Sequence, residues 1–202
     1  MYKFDSLYLY KTIESTKVLG AGNRFAIWVQ GCDKRCENCI VPDSWSKVSG
    51  GYELSIEALV QLVVNSTDIT GVTISGGEPF LQSLQLAKFI ELLDLEKKGL
   101  DYIVYTGLNY DDIVNNEEQK KLLNKIDLLI DGEYIEELNA NTPLLGSSNQ
   151  GVYILSDSGY ELANAMYKKK SRELEFVVKD ANELFMVGIP PKKIEEKLKE
   201  YV

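Results

Sequence analysis

The sequence predicts an α/β fold, an open, partial (β/α) barrel of parallel strands with helices packed outside. Three observations predict it. Strand-like apolar segments alternate with helix-like ones at intervals of roughly 25–45 residues, the pattern of a parallel sheet with crossover helices. The chain has 202 residues, short of the about 250 that a closed eight-stranded barrel typically needs. The segments richest in cysteine, glycine and carboxylate directly follow strand-like runs, where such sheets place their sites. This length suits one core, so a single domain is expected over residues 1–202.

Element by element, Tyr2, Tyr8 and Tyr10 alternate with other residues in a segment that reads as an edge strand. Phe25 to Gln30 is apolar and partly β-branched, a buried strand stopped by Gly31. A helix is expected from Ile56 to Asn65, with Ser55 as N-cap and Glu57 at the positive end of its dipole. Gly71 to Ser75 is the next strand. Leu84 to Lys98 is an amphipathic helix with Leu86, Phe89, Ile90, Leu93 and Leu95 near helical spacing, ended by Gly99. Tyr102 to Thr106 is a strand. Asp111 to Lys125 is helical with a break near Asn115 and Asn116, and Asp127 to Ile130 is a strand running into Asp131-Gly132. A polar loop, Asn139 to Gln150, comes next. Then follow a strand at Val152 to Leu155, a helix at Gly159 to Lys169, strands at Leu174 to Lys179 and Glu183 to Val187, and a helix opened by Pro190 and Pro191. Lys168, Lys169 and Lys170, followed by Arg172, read as a solvated helix end.

Composition narrows the function. The net charge is −9, which disfavours a nucleic-acid partner because an acidic surface repels phosphate. No apolar run suits a membrane span. The N-terminal residues lack the basic start and apolar stretch of a signal peptide, so a cytoplasmic location is expected. The chain has no histidine, which excludes a Ser-His-Asp triad, a Cys-His pair and His-ligated zinc. Its three cysteines all lie within eight residues, an odd count that argues against a disulfide framework.

Those cysteines, Cys32, Cys36 and Cys39, form a C-x3-C-x2-C loop directly after the strand ending at Gln30. Three thiolates on one short loop suit one soft metal centre, and iron–sulfur clusters prefer thiolate. Structural zinc takes four closed ligands, and no fourth cysteine exists here. Three protein ligands leave one iron of a four-iron cluster open to another ligand, unlike a carrier held by four cysteines. A second motif, Ser75-Gly76-Gly77-Glu78-Pro79, follows the strand at Gly71. Its glycines let backbone approach a ligand closely, Glu78 supplies a carboxylate, and Pro79 stiffens the exit. Alone it is an ordinary strand-to-helix turn.

Together and in this order, the two motifs resemble the radical-SAM superfamily. The resemblance implies that Cys32, Cys36 and Cys39 ligate a [4Fe–4S] cluster and that the methionyl amine and carboxylate of S-adenosylmethionine (SAM) chelate the fourth iron. It implies that Gly76, Gly77 and Glu78, with Pro79 beside them, contact the methionyl amino group. One electron would then cleave SAM to methionine and a 5′-deoxyadenosyl radical, which abstracts a hydrogen atom. A narrower resemblance, running nearly end to end, is to the glycyl-radical activating enzymes, and within them to the activating proteins of anaerobic ribonucleotide reductase. It rests on Phe25 to Cys39, Pro42 to Trp45, Val104 to Gly107, Leu129 to Leu138, Gly146 to Gln150 and Val187 to Pro190. It implies a glycyl-radical enzyme as protein substrate and an external electron donor such as flavodoxin or ferredoxin. Where such enzymes commonly carry His-Asn after the last cysteine, this chain has Ile40-Val41.

Further candidates are Tyr105 and Thr106, at a strand end where backbone groups could meet adenosine, and Asp131, placed for ribose hydroxyls or for a plain Asp-Gly turn. Ser147, Ser148 and Asn149 read first as a solvated loop and second as a cover over the site. Trp28 and Trp45 read as packing residues. Two other readings stay open: a radical-SAM enzyme acting directly on a peptide or small molecule, and a nonenzymatic iron–sulfur or zinc module. Against the first, no cysteine is left for an auxiliary cluster. Against the second stand the Gly-Gly-Glu-Pro segment and the open coordination site.

Overall fold

The computed structural model describes residues 3–180 and 183–199, so Tyr2 lies outside it. Strand β1 (Ser6–Thr16) runs antiparallel to β2 (Arg24–Val29), and β3 (Tyr52–Ser55) pairs with the first part of β1 from outside. From β2 the sheet continues in parallel through β4 (Gly71–Gly76), β5 (Asp101–Tyr105) and β6 (Leu128–Asp131). It ends with antiparallel β7 (Gly151–Ile154), giving the order β3-β1-β2-β4-β5-β6-β7. A separate hairpin joins β8 (Glu175–Asp180) to β9 (Glu183–Val187). The helices are α1 (Ile56–Asn65), α2 (Ser83–Glu96), α3 (Tyr110–Val114), α4 (Glu117–Leu123), α5 (Asp157–Tyr167) and α6 (Lys192–Lys199).

The sheet is therefore mixed, and the expectation of parallel strands holds for its four central members alone. Residues 17–23 between β1 and β2 are too few for a crossover helix, so the two strands meet antiparallel. The expected edge strand is also corrected: β1 is covered by β3, which pairs Ser6 with Ser55 and Leu9 with Tyr52. β3 has four residues and no buried one, so no hydrophobic pattern announces it.

Side chains of successive strand residues point to opposite faces. One face carries Phe25, Ile27, Val72, Ile74, Tyr102 and Val104 against Leu59, Val63, Leu86, Phe89 and Ile90 of α1 and α2. Each such buried side chain contributes about 1.5–3 kcal/mol. The other face is also covered. Ile103, Leu128 and Ile130 meet Leu162, Ala163 and Met166 of α5, while Ala26 and Trp28 meet Val187 of β9. Helices thus cover both faces of the sheet, with α5, which follows β7, packing on the face opposite α1 and α2. Trp28 is a packing residue, edge-on to Phe185 with centroids 5.4 Å apart.

Local signals set the boundaries. The Ser55 hydroxyl accepts from Ala58 N at 3.1 Å and caps α1. Asn116 accepts from Glu118 N and Gln119 N, which restarts the helix as α4 after α3 has ended. Arg172 corrects the expected solvated helix end: it is buried and donates to the carbonyls of Thr142, Leu145, Gly146 and Pro190. At the N-terminal ends of the parallel strands, fully buried Arg24 pairs with Asp101 and donates to Thr73 Oγ1, Ala21 O and Val72 O. Burial pulls its pKa down against the pull of Asp101, and burial likewise pushes the Asp101 carboxyl up despite the guanidinium.

Candidate functional site

At the opposite, C-terminal ends of β2, β4, β5 and β6 the chain builds one cavity. Gly31, at φ +104°, turns the chain off β2. The cysteine loop that follows is wound tightly, with Arg35 and Asn38 in the left-handed region at φ +52° and +55°, and Cys39 N donating to Cys36 O at 3.1 Å. Its start is pinned from both sides. Gly31 N and Cys32 N donate to Ser44 O and Trp45 O, while Glu78 N donates to Gly31 O at 2.8 Å. The buried Gln30 carboxamide donates to the carbonyls of Asp43 and Ser46, holding the segment after the loop in place.

The Ser75–Pro79 turn lies against this loop. Gly77 N donates to Val29 O at 2.8 Å. A Cβ on Gly77 would collide with the Gly31 carbonyl oxygen, and Gly76, at φ +106°, would place one 2.5 Å from Val29 N. Both glycines are required by this close approach of the two motifs.

The sequence candidates separate by position. Cys32 and Cys36 line the cavity together with Ser75, Gly76, Gly77, Glu78, Tyr105 and Thr106. Cys39 completes the loop but is not among the lining residues, and neither are Pro79 and Asp131. Pro79 opens the short 3-10 turn Pro79–Gln82. The buried Glu78 carboxylate accepts from Phe80 N at 2.9 Å, Thr106 Oγ1 at 2.7 Å and Gly107 N at 2.9 Å. It thereby ties the end of β4 to the end of β5. Burial pushes its pKa up against these three hydrogen bonds. Asp131 spends both oxygens on backbone, accepting from Tyr110 N and Gly151 N. The Tyr105 hydroxyl is buried with no hydrogen-bond partner among the described residues.

Lys34, Asn38, Gly146 and Gln150 also line the cavity, and neighbouring residues brace them. Lys34 and Asn38 of the cysteine loop reach across to Glu133 and Glu136, the first at 2.7 Å. Gln150 accepts from Gly146 N and donates to Gly132 O, both at 2.8 Å. Ser147 is buried and accepts from Ile135 N, and Asn149 donates to Glu133 O. The loop that read first as solvated is therefore fastened to the segment after β6. Its signal was present in Gly146 to Gln150, a polar run whose partners are its own backbone and that of residues 132–138.

The donor set fits an iron–sulfur cluster. Burial pushes the Cys32 and Cys36 thiols up, so ligation by thiolate must release protons as metal binds. Among the described residues no three His, Cys, Asp or Glu side chains gather tightly enough for one ion. The thiolates of a four-iron cluster each take a different iron, so they need not converge on one ion.

Comparison with known proteins agrees. A family model described as a 4Fe-4S single cluster domain matches residues 18–153, and the chain belongs to this family, in its radical-SAM activase branch. It is an enzyme, and its cofactors are a [4Fe–4S] cluster and SAM. The anaerobic ribonucleoside-triphosphate reductase-activating protein of Haemophilus influenzae is 33% identical over 143 residues, covering 66% of this chain and 89% of that one. The protein so named from Salmonella typhi is 32% identical over 146 residues, 68% of this chain and 92% of that one. The pyruvate formate-lyase-activating enzyme of Listeria monocytogenes is 38% identical over 78 residues, 36% of this chain and 31% of that one. Among solved structures, QueE from Escherichia coli matches with a TM-score of 0.44 and 18% identity, over 50% of this chain and 52% of that one. No helix among the described residues is long and apolar enough to cross a membrane.

Proposed function

We propose that the enzyme cleaves SAM reductively at this cavity and removes one α-hydrogen from a glycine in a partner enzyme such as anaerobic ribonucleotide reductase. The observation that carries this reading is the shared cavity: Cys32 and Cys36 face Ser75, Gly76, Gly77 and Glu78 across it. The two reductase-activating proteins support the partner, since they match over most of their own length.

Cys32, Cys36 and Cys39 would hold the cluster, and three protein ligands would leave it open to SAM. When bound, cluster and SAM together supply a 5′-deoxyadenosyl radical, after one electron from a donor such as flavodoxin or ferredoxin. The protein supplies position and surroundings. Gly76 and Gly77 bring backbone to the methionyl amine. Glu78, locked to Thr106 and Gly107, fixes the edge along which the cofactor lies. Tyr105 and Thr106 wall the adenosine side. Asp131 acts at one remove, by fixing the first turn of α3 and the start of β7 through Tyr110 N and Gly151 N. The parallel core, lined on its inner face, is the open partial barrel of this enzyme class, and residues 1–202 act as one domain.

The test is anaerobic. Reduced, reconstituted enzyme is mixed with SAM and the neighbouring glycyl-radical candidate, and the EPR spectrum is recorded. A glycyl doublet on the partner is expected. SAM-dependent modification of a peptide or metabolite, with no doublet on any candidate, would overturn the partner assignment.

A further inference from the structure

Lys34 lies midway between Cys32 and Cys36 in the cysteine loop. Its stem passes Gly107, where a Cβ would stand 3.2 Å from Lys34 Cγ, and its ammonium ends 2.7 Å from a Glu133 carboxylate oxygen. Lys34 and Glu78 are the only Asp, Glu, Lys or Arg among the described residues that line the cofactor cavity. Glu78 is buried and accepts from three protein donors. Among those residues Lys34 is therefore the one cation on the wall, and it belongs to the loop that carries the thiolates. Glu133 meets it from the segment after β6, outside the lining. The two side chains are 27% and 48% exposed, and an ion pair so open to water adds little to stability. Its charges act on what lies beside them.

We propose that Lys34 and Glu133 together set the reduction potential of the cluster, the ammonium favouring the reduced state and the carboxylate masking that ammonium. The inference rests on the three cysteines holding a [4Fe–4S] cluster, and it does not depend on which substrate loses hydrogen. Reduction adds one electron from the external reductant, and with it one negative charge. A cation held close by stabilises the reduced cluster and raises its potential, and an anion does the reverse. Lys34 moves no proton in this role and touches no reacting bond, so it is a positioning residue whose position carries a charge.

The fold supplies its own control. Asn38, in the same loop, donates to Glu136 of the same distant segment. This second bridge ties loop to segment as the first does, yet Asn38 brings no charge to the loop. Tethering and electrostatics can thus be separated by substitution.

A redox titration tests this. Reconstituted wild type, Lys34→Met, Lys34→Arg, Glu133→Gln and Asn38→Ala are poised without oxygen or SAM at the wild-type midpoint potential. The reduced fraction is read from the EPR signal of the reduced cluster and normalised to iron content. In Lys34→Met the ratio of reduced to oxidised cluster is expected to fall by about tenfold, a shift of about 59 mV for one electron. In Glu133→Gln it should rise severalfold, because the ammonium loses its mask. Lys34→Arg and Asn38→Ala should stay within about twofold of wild type. Lys34→Met and Glu133→Gln both weaken one bridge, so a merely structural role would move them in the same direction. Shifts of one sign in both, no shift in either, or a shift in Asn38→Ala as large as that in Lys34→Met would overturn the proposal. Should Lys34→Met hold no iron, a rise in Glu133→Gln without one in Asn38→Ala still supports it, and any other result for that pair overturns it. Wild-type protein that takes up no iron would instead overturn the cluster assignment, a failure separate from an unmoved potential.

Discussion

Glu78 shows how one side chain can be read correctly as important and incompletely as to why. Its place in Gly-Gly-Glu-Pro suggests a carboxylate aimed at a cation, yet in the fold all three donors around it belong to the protein. Removing it in Glu78→Ala leaves the Thr106 hydroxyl and the Phe80 and Gly107 N–H groups without their acceptor, at about 1–3 kcal/mol for each buried group left unpaired. The expected outcome is SAM affinity lowered by about tenfold or more with iron content near wild type, measured by titration and iron assay. Equal SAM affinity would remove Glu78 from the site. The buried tyrosines allow a pH prediction. Burial raises the Tyr102 and Tyr105 phenols above the usual tyrosine value, and Tyr102 also donates to Asp94. Below about pH 10 both phenols are protonated folded or unfolded and pH has no effect through them. Above it the unfolded chain ionises first, so stability falls as pH rises. Absorbance titration should show two of the 12 tyrosines ionising only as the protein unfolds.

Among the elements, what the sequence made legible was whatever had a local cause. α1 runs over the predicted residues because Ser55 caps it, and the break at Asn115 and Asn116 appears because Asn116 caps the next helix. The cysteine loop and the Ser75–Pro79 turn were legible as chemistry, since residue type alone carries it. The partners that hold them were not. Gln30 and Gln150 are ordinary polar residues in sequence, and their roles come from carbonyls up to 19 and 18 residues away. Likewise β3 forms because β1 offers an edge, and α5 packs on Ile103, Leu128 and Ile130, across the sheet from α1 and α2. At this scale Gly77→Ala is the sharpest perturbation. Its Cβ meets backbone that cannot rotate away, so the cysteine loop and the turn must separate. Iron retention after gel filtration should fall well below wild type while far-UV circular dichroism stays close to it. Full retention would show that the two motifs do not depend on close approach.

For the molecule as a whole, function and anchorage sit at opposite ends of one sheet. Arg24 fills the N-terminal end of the parallel strands with hydrogen bonds to β4 and to the segment before β2. Arg24→Ala strands the Asp101 carboxylate and opens a void, and a loss of about 3–5 kcal/mol is expected in denaturant unfolding. Arg24→Met, which keeps most of the volume without the charge, should recover part of that loss. A substitution there that left stability unchanged would show that the buried guanidinium is dispensable. At the other end, the start and exit of the cluster loop are held by backbone-to-backbone bonds, from Gly31 to Ser44, Cys32 to Trp45 and Glu78 to Gly31, which do not involve the sulfurs. Exposure to air that strips iron from the thiolates therefore attacks the chemistry without cutting the scaffold. For an enzyme whose cofactor is an iron–sulfur cluster, this makes damage a matter of reloading a cofactor and spares the cell the synthesis of a new chain.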